Sequence, residues 1–342
     1  MTTQSQSSHR KRGFQWWAGR ILVGALALVL LLGVVTGWAG VSAKSNLAKQ
    51  YPAPDQRVDV GGYKMHINCV GQGSPTVIMD AGINDFSVQW ALVQPEVAKF
   101  ACVCVYDRAG LGWSEPSPYA RTSMTMVEEL HTLLVNAKVE GPYVLVGHSF
   151  GGMNMRLYAH QYPDEVVGMV LVDSAHEEQT IRARALPKAA EQTLGQFRTL
   201  AQLSSFGLLA LSPDEIPARG LPDQALAQYR AILATTRYFE TAIAETEALE
   251  KSFAEVRAAK ITSLGDMPLI VLSRGLGDPL PGISEADNQQ YEQAWQVMQS
   301  ELATLSSKGK HVIAKESGHY IQLKQPQLVI DAIRELVQAA QR

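Results

Sequence analysis

The pentapeptide Gly147-His148-Ser149-Phe150-Gly151 constrains the fold of this chain more than any other stretch, because of what flanks it. Tyr143-Val144-Leu145-Val146 has strand composition, and residues 153–159 read as a helix. A serine at such a strand-to-helix turn is held in a strained backbone conformation with its hydroxyl exposed. Glycines two positions before and after it are needed, since a Cβ at either would collide with the neighbouring strand or helix. The turn also aims the backbone N–H of Phe150 and the positive end of the following helix at the place where an oxyanion would form.

Around this turn, short apolar segments alternate with helices. Residues 58–60 and 63–70, joined by Gly61-Gly62, read as a hairpin. Residues 76–79 form a buried strand running into Asp80-Ala81-Gly82, and 101–106 form another, ending at Asp107-Arg108-Ala109-Gly110. Residues 124–137 have helical spacing, and 166–172, 268–272 and 311–314 complete the strands. This pattern predicts an α/β protein with a mostly parallel sheet covered on both faces. From 175 to 262 the alternation stops and the chain is helical throughout, with breaks at Pro187, Ser212-Pro213, Pro217 and Gly220-Leu221-Pro222. That stretch reads as a helical cap inserted into a core of residues 58–174 and 263–342. Its Leu200, Leu203, Phe206, Leu208, Leu209 and Leu211 either roof an apolar pocket or pack the cap onto the core.

The first 45 residues differ from the rest. Arg10, Lys11, Arg12 and Arg20 precede an uncharged apolar stretch, residues 21–43, bracketed by Trp16, Trp17 and Trp38. Its length suffices to cross a bilayer, and the aromatics sit where interfacial residues do. Two readings stand: an uncleaved anchor, or a signal peptide cut after Val41-Ser42-Ala43. In the first, the positive charges leave the N-terminus in the cytoplasm and the remaining chain outside it; in the second, the protein is exported. Residues 46–57 then read as a short linker. With a net charge of −3 and no basic block beyond the N-terminus, nothing points to nucleic acid. Of three cysteines, Cys102 and Cys104 lie two apart in one strand, a poor geometry for bridging each other. Either can pair with Cys69 in an oxidising compartment, or all three are small buried side chains. Oligomeric state is not readable.

A serine hydroxyl is a weak nucleophile and needs a base within reach, oriented by a carboxylate. His319, in Ser317-Gly318-His319-Tyr320 after the last strand, is the expected base. Two aspartates compete for the third place. Asp278, in Gly275-Leu276-Gly277-Asp278-Pro279, is the first choice, and Asp173, after the preceding strand, the alternative. The second oxyanion donor is expected from the loop after the first parallel strand, at the backbone N–H of Ile83, paired with Phe150.

The stretches Met79–Ile83 (MDAGI), YDRAGLGWSEP at 106–116, GHSFGG at 147–152, GLGDP at 275–279 and SGHY at 317–320 together resemble the α/β-hydrolase superfamily, over about residues 58–340. The resemblance implies an α/β-hydrolase fold and an ester hydrolase acting on a small, apolar acyl substrate through an acyl-enzyme, with no metal and no organic cofactor. Amidase, aminopeptidase, C–C hydrolase or acyltransferase chemistry on the same residues is the alternative, with a non-catalytic binding module beyond it. A serine at 149 disfavours the branches that use a carboxylate nucleophile, the dehalogenases and epoxide hydrolases. The Asp-Arg-x-Gly-x-Gly-x-Ser pattern of 107–114 is taken as a structural turn without a catalytic role. Three departures from the family pattern stand out. Ala81-Gly82 replaces the usual His-Gly, Pro268 lies one residue further from its turn, and a long helix over 284–305 follows Asp278; the last two keep Asp173 open.

Overall fold

A parallel strand covered on both faces sends successive side chains into two different cores, and the inner strands here do so. The computed structural model describes residues 6–183, 185–217, 220–280 and 282–342. Eight strands form one sheet: β1 (Gln56–Asp59), β2 (Lys64–Val70), β3 (Thr76–Asp80), β4 (Val103–Tyr106), β5 (Tyr143–His148), β6 (Val166–Val172), β7 (Leu269–Arg274) and β8 (Gly309–Ala314). Their order is β1-β2-β4-β3-β5-β6-β7-β8. The pairs β1–β2 and β2–β4 are antiparallel and all the others parallel. Leu145, Met169 and Leu171 face one core, whereas Val144, Val146, Val170 and Val172 face the other.

The helices in chain order are α1 (Gln6–Gln50), α2 (Gln94–Val97), α3 (Ser123–Asn136), α4 (Phe150–Gln161), α5 (Gln179–Arg182), α6 (Leu186–Ser205), α7 (Leu208–Leu211), α8 (Asp223–Leu233), α9 (Thr236–Glu247), α10 (Leu249–Ala259), α11 (Glu285–Ala303), α12 (Ile321–Lys324) and α13 (Pro326–Ala340). Leu130 and Leu133 of α3 and Met153 and Leu157 of α4 build the first core; Ile330, Ile333 and Leu336 of α13 build the second with Val97 of α2. Among the described residues the connection between β6 and β7 contains helices and no strand. Its last helix, α10, packs against α3 and α4. Phe253 and Val256 of α10 are buried beside α3 and α4. Ser252 Oγ and Glu255 Oε2 accept the N–H groups of Ser123 and Met124 at 3.0 and 2.9 Å. They satisfy donors at the start of α3 that Thr122 leaves without a side-chain cap.

Helix α1 contains the expected span of residues 21–43 and is long and apolar enough to cross a membrane. It does not stop at 43: it continues to Gln50, so the expected linker over 46–57 shrinks to residues 51–55 before β1. The first five residues of the expected cytoplasmic stub lie outside the described residues. Cys69 and Cys104 stand opposite each other in the β2–β4 register and are joined by a disulfide, leaving Cys102 as a free, half-buried thiol. Burial pushes that thiol's pKa up.

Candidate active site

β5 ends at His148 and α4 begins at Phe150, so Ser149 alone makes the turn, with φ 52° and ψ −121°. A Cβ on Gly147 would stand 2.4 Å from Gly152 Cα, and one on Gly151 2.5 Å from the Ala81 carbonyl oxygen, so both positions exclude a side chain. The turn is tied to its neighbours. Ser149 N–H donates to Val172 O at 3.0 Å, and Ser149 O accepts from Gly152 at 3.0 Å and Ala175 at 2.8 Å. Phe150, as the first residue of α4, presents one of the N–H groups that have no partner inside a helix.

His319 lies on the turn between β8 and α12, and its Nδ1 is 2.6 Å from Asp173 Oδ2. Asp173 is fully buried at the end of β6, with φ 42°, a second residue held at positive φ beside the site. Its carboxylate accepts three further hydrogen bonds: from Arg274 N–H (3.0 Å), Arg274 Nη1 (2.9 Å) and Trp295 Nε1 (2.8 Å). Burial by itself would raise the Asp173 pKa, but the His319 hydrogen bond and the Arg274 charge hold it far below the usual carboxylate range. The ionised carboxylate therefore accepts from His319 Nδ1 and fixes the orientation of the ring.

The first-choice acid, Asp278, is not beside His319. Gly275 and Leu276 both donate to Ser317 O, at 3.1 and 3.0 Å, so the chain leaves β7 alongside the β8 turn and carries Asp278 into solvent. The space next to Asp173 is filled instead by Arg274 and by Trp295 of α11, whose rings and guanidinium stack at 4.4 Å. Among the described residues Asp278 makes no hydrogen bond to His319, although both line the same cavity.

The loop after β3 is organised by residues that sequence reasoning did not assign to the site. Arg108 donates from Nη1 to Ala81 O (2.8 Å) and from Nη2 to Gly82 O (2.7 Å), and pairs with Asp80 (2.7 Å) and with Glu245 of α9 (2.8 Å). Glu245 Oε2 in turn accepts Asn84 N–H at 2.8 Å. All three charged groups are buried. Burial would lower the Arg108 pKa, but Glu245 and Asp80 raise it well above its ordinary value, so the guanidinium stays charged. A trans peptide points its N–H opposite its C=O. With Gly82 O turned onto Arg108, the Ile83 N–H is turned the other way, and Ile83 lines the cavity with Ser149 and His319. Arg108 and Glu245 thus fix the backbone of the loop at Ala81, Gly82 and Asn84. The signal in the sequence was Arg108 itself, read there only as part of a turn.

The cavity has a volume of about 570 Å³. Ser149, Ile83 and His319 form its floor; Leu186, Ala190 and Thr193 of α6 roof it, and Leu280 and Trp295 close one side. The roof is the first half of α6, not the leucine-rich second half. Leu200 and Leu209 pack against a cluster that joins cap residues to Phe86, Leu111 and Trp113 of the core, while Leu203, Phe206, Leu208 and Leu211 are exposed. Among the described residues no group of three His, Cys, Asp or Glu side chains is placed to hold a metal.

A family model described as the alpha/beta hydrolase fold matches residues 75–249. The chain is 27% identical over 270 residues to the uncharacterized protein YqjL of Bacillus subtilis (strain 168), a match covering 79% of this chain and 86% of that protein. Among solved structures it superposes on the epoxide hydrolase CorEH with a TM-score of 0.60 and 19% identity, covering 84% of this chain and 99% of that one. It superposes on a thermophilic esterase from Thermogutta terrifontis with a TM-score of 0.56 and 20% identity, covering 83% and 99%. At those identities the two structures share the fold with this chain and nothing finer.

Proposed function

The chain belongs to the alpha/beta hydrolase family and is a hydrolase by fold, and from that premise we propose that it is a serine hydrolase of carboxylic esters. The observation that carries the reading is the buried Asp173 carboxylate, 2.6 Å from Nδ1 of His319, which lines the same cavity as Ser149. Ser149 Oγ attacks the acyl carbonyl while His319 Nε2 takes its proton. The N–H groups of Ile83 and Phe150 hold the oxyanion, and His319 returns the proton to the leaving alcohol. Water, activated by the same histidine, then releases the acid and restores Ser149. A serine at the nucleophile position sets the chemistry apart from a carboxylate mechanism. The apolar roof of Leu186, Pro187 and Ala190 favours an apolar acyl or alcohol group.

The protein is held in a membrane by α1 with the hydrolase domain on the extracytoplasmic side. The contact of Gly40 in α1 with Gly207 of the hydrolase domain supports an anchor over a cleaved signal, and the Cys69–Cys104 disulfide supports an oxidising compartment. A mature protein whose mass shows it to begin at Lys44 would overturn the anchor.

The test of the reaction is a p-nitrophenyl ester series of increasing acyl length, with fluorophosphonate labelling mapped by mass spectrometry. The expected result is turnover that peaks at one chain length, a label on Ser149, and loss of both in Ser149→Ala. Labelling without ester turnover would move the assignment to amide or other acyl chemistry. Neither labelling nor turnover would make the domain a binding module.

A further inference from the structure

The C-terminal end of α1 does not stand free of the domain. A Cβ on Gly40 would lie 2.6 Å from Phe206 O and 2.7 Å from Gly207 Cα, and one on Gly207 would lie 2.4 Å from Gly40 Cα. Two glycine backbones are therefore in direct contact, one in the last apolar turn of α1 and one in the corner between α6 and α7. Gly207 takes the left-handed conformation, φ 74°, that makes the corner. One turn further along α1, Lys44 Nζ bonds Thr236 Oγ1 at 3.4 Å, fixing the helix to α9 as well.

That contact sets the depth of the corner relative to the span. Gly40 lies between Trp38, 74% exposed, and Val41, also exposed, where the apolar stretch of residues 21–43 ends. Beside it the corner presents Phe206, 66% exposed, with Leu203, Leu208 and Leu211 exposed around it. Leu209 and Ala210 of the same short helix point inward, so the outward apolar side chains are not needed to pack the cap. Contiguous exposed apolar surface of this kind marks an interaction site, and here it is continuous with the exposed apolar face of α1.

We propose that the α6–α7 corner of the cap is a second membrane contact, seated in the headgroup–acyl boundary beside the point where α1 leaves the bilayer. The occupant is the lipid of that same membrane; the proposal rests on α1 being an uncleaved anchor. Phe and Leu on one side with a polar remainder suit an interfacial position, as Trp38 does at the same level. Helix α6 then spans from the bilayer to the substrate cavity. Thirteen residues separate Thr193 in the cavity roof from Phe206, about 20 Å at 1.5 Å per residue.

The test uses the full chain in phosphatidylcholine vesicles, on a Cys102→Ser background, with an environment-sensitive fluorophore at one introduced cysteine at a time. The positions are Phe206→Cys, Leu208→Cys and Leu211→Cys. Val34→Cys marks the span, and Ile313→Cys on β8 marks the sheet edge opposite β1. The expected result is a blue-shifted emission and several-fold stronger quenching by doxyl-labelled lipid at 206, 208 and 211 than at 313. Quenching at 34 with none at 206, 208 and 211 would overturn the proposal while leaving the anchor intact. No quenching at 34 would remove the anchor and the proposal together. Cross-linking of two chains through Phe206→Cys without lipid quenching would assign the corner to a second copy and overturn the lipid assignment.

Discussion

Asp173 is held by four hydrogen bonds from three residues, and two of those residues explain why it, rather than Asp278, faces His319. Both aspartates follow a strand on the same side of the sheet, which is all that spacing along the chain shows. What separates them is a helix that brings Trp295 across the end of β6 and an arginine that closes β7. Asp173→Asn is expected to lower kcat by several-hundred-fold to about 10⁴-fold through loss of the correct imidazole tautomer. Asp278→Asn should stay within a few-fold of the parent; the reverse ranking in steady-state ester assays would return the acid to Asp278. Glu245 is the other residue whose role was hidden, because it lies 137 residues from Arg108. Glu245→Ala leaves a buried guanidinium short of a partner, at a cost of about 3–5 kcal/mol of stability. It also frees the Asn84 amide, so kcat should fall with KM nearly unchanged, by up to the ~10²–10³-fold that losing one oxyanion donor costs. Glu245→Gln, which keeps an acceptor for Asn84, should recover most of kcat. Equal kcat in the Ala and Gln variants would reduce Glu245 to a packing residue.

At the scale of elements, the inner strands β3 to β7 were legible because apolar runs of four to seven residues bounded by Gly, Pro and Asp leave few alternatives. The turn at Ser149 was legible for a stronger reason, since each flanking glycine answers a backbone approach under 3 Å. The helices between β6 and β7 were harder to divide. Nothing in the composition of 249–259 separates it from the preceding cap helices, because its burial of Phe253 and its capping of α3 depend on a fold assembled elsewhere. The cysteines fall between these cases: spacing excluded a Cys102–Cys104 bridge, and only the antiparallel register of β2 and β4 chose Cys104 over Cys102. That bridge closes a loop with a sequence separation of 35, for which loop-closure entropy predicts about 3–4 kcal/mol. Cys69→Ala should therefore lower the denaturant midpoint clearly, and Cys102→Ser should leave it where it is. Equal midpoints for Cys69→Ala and the parent, both under oxidising conditions, would mean the bridge does not form.

Across the whole molecule, cap and core are joined by carboxylates paired with buried arginines, and this gives the protein an acid limit. Glu177, on the way from β6 into the cap, pairs with the buried Arg156 of α4 at 2.8 Å. Burial would raise its pKa, but the Arg156 charge and hydrogen bond bring it from 4.5 down to about 2. A carboxylate whose folded pKa lies below its unfolded value stabilises the fold fully above the unfolded value. That stability is lost as the pH falls through the folded one. For Glu177 the window runs from about pH 4.5 down to about 2, and the shift corresponds to roughly 3 kcal/mol at 1.36 kcal/mol per unit. Asp173, also depressed, adds to the loss over the lower part of the same range. Asp80 works the other way: burial raises its pKa, so protonation favours the folded state and partly offsets the loss. Urea midpoints of the full chain in detergent should thus fall steeply below about pH 5. Glu177→Gln keeps a polar group against Arg156 but cannot titrate, so it should be less stable than the parent at pH 7 and nearly equal to it near pH 2. If the two curves instead ran parallel across that window, the acid limit would lie in other carboxylates, and the link between β6 and the cap would not be electrostatic.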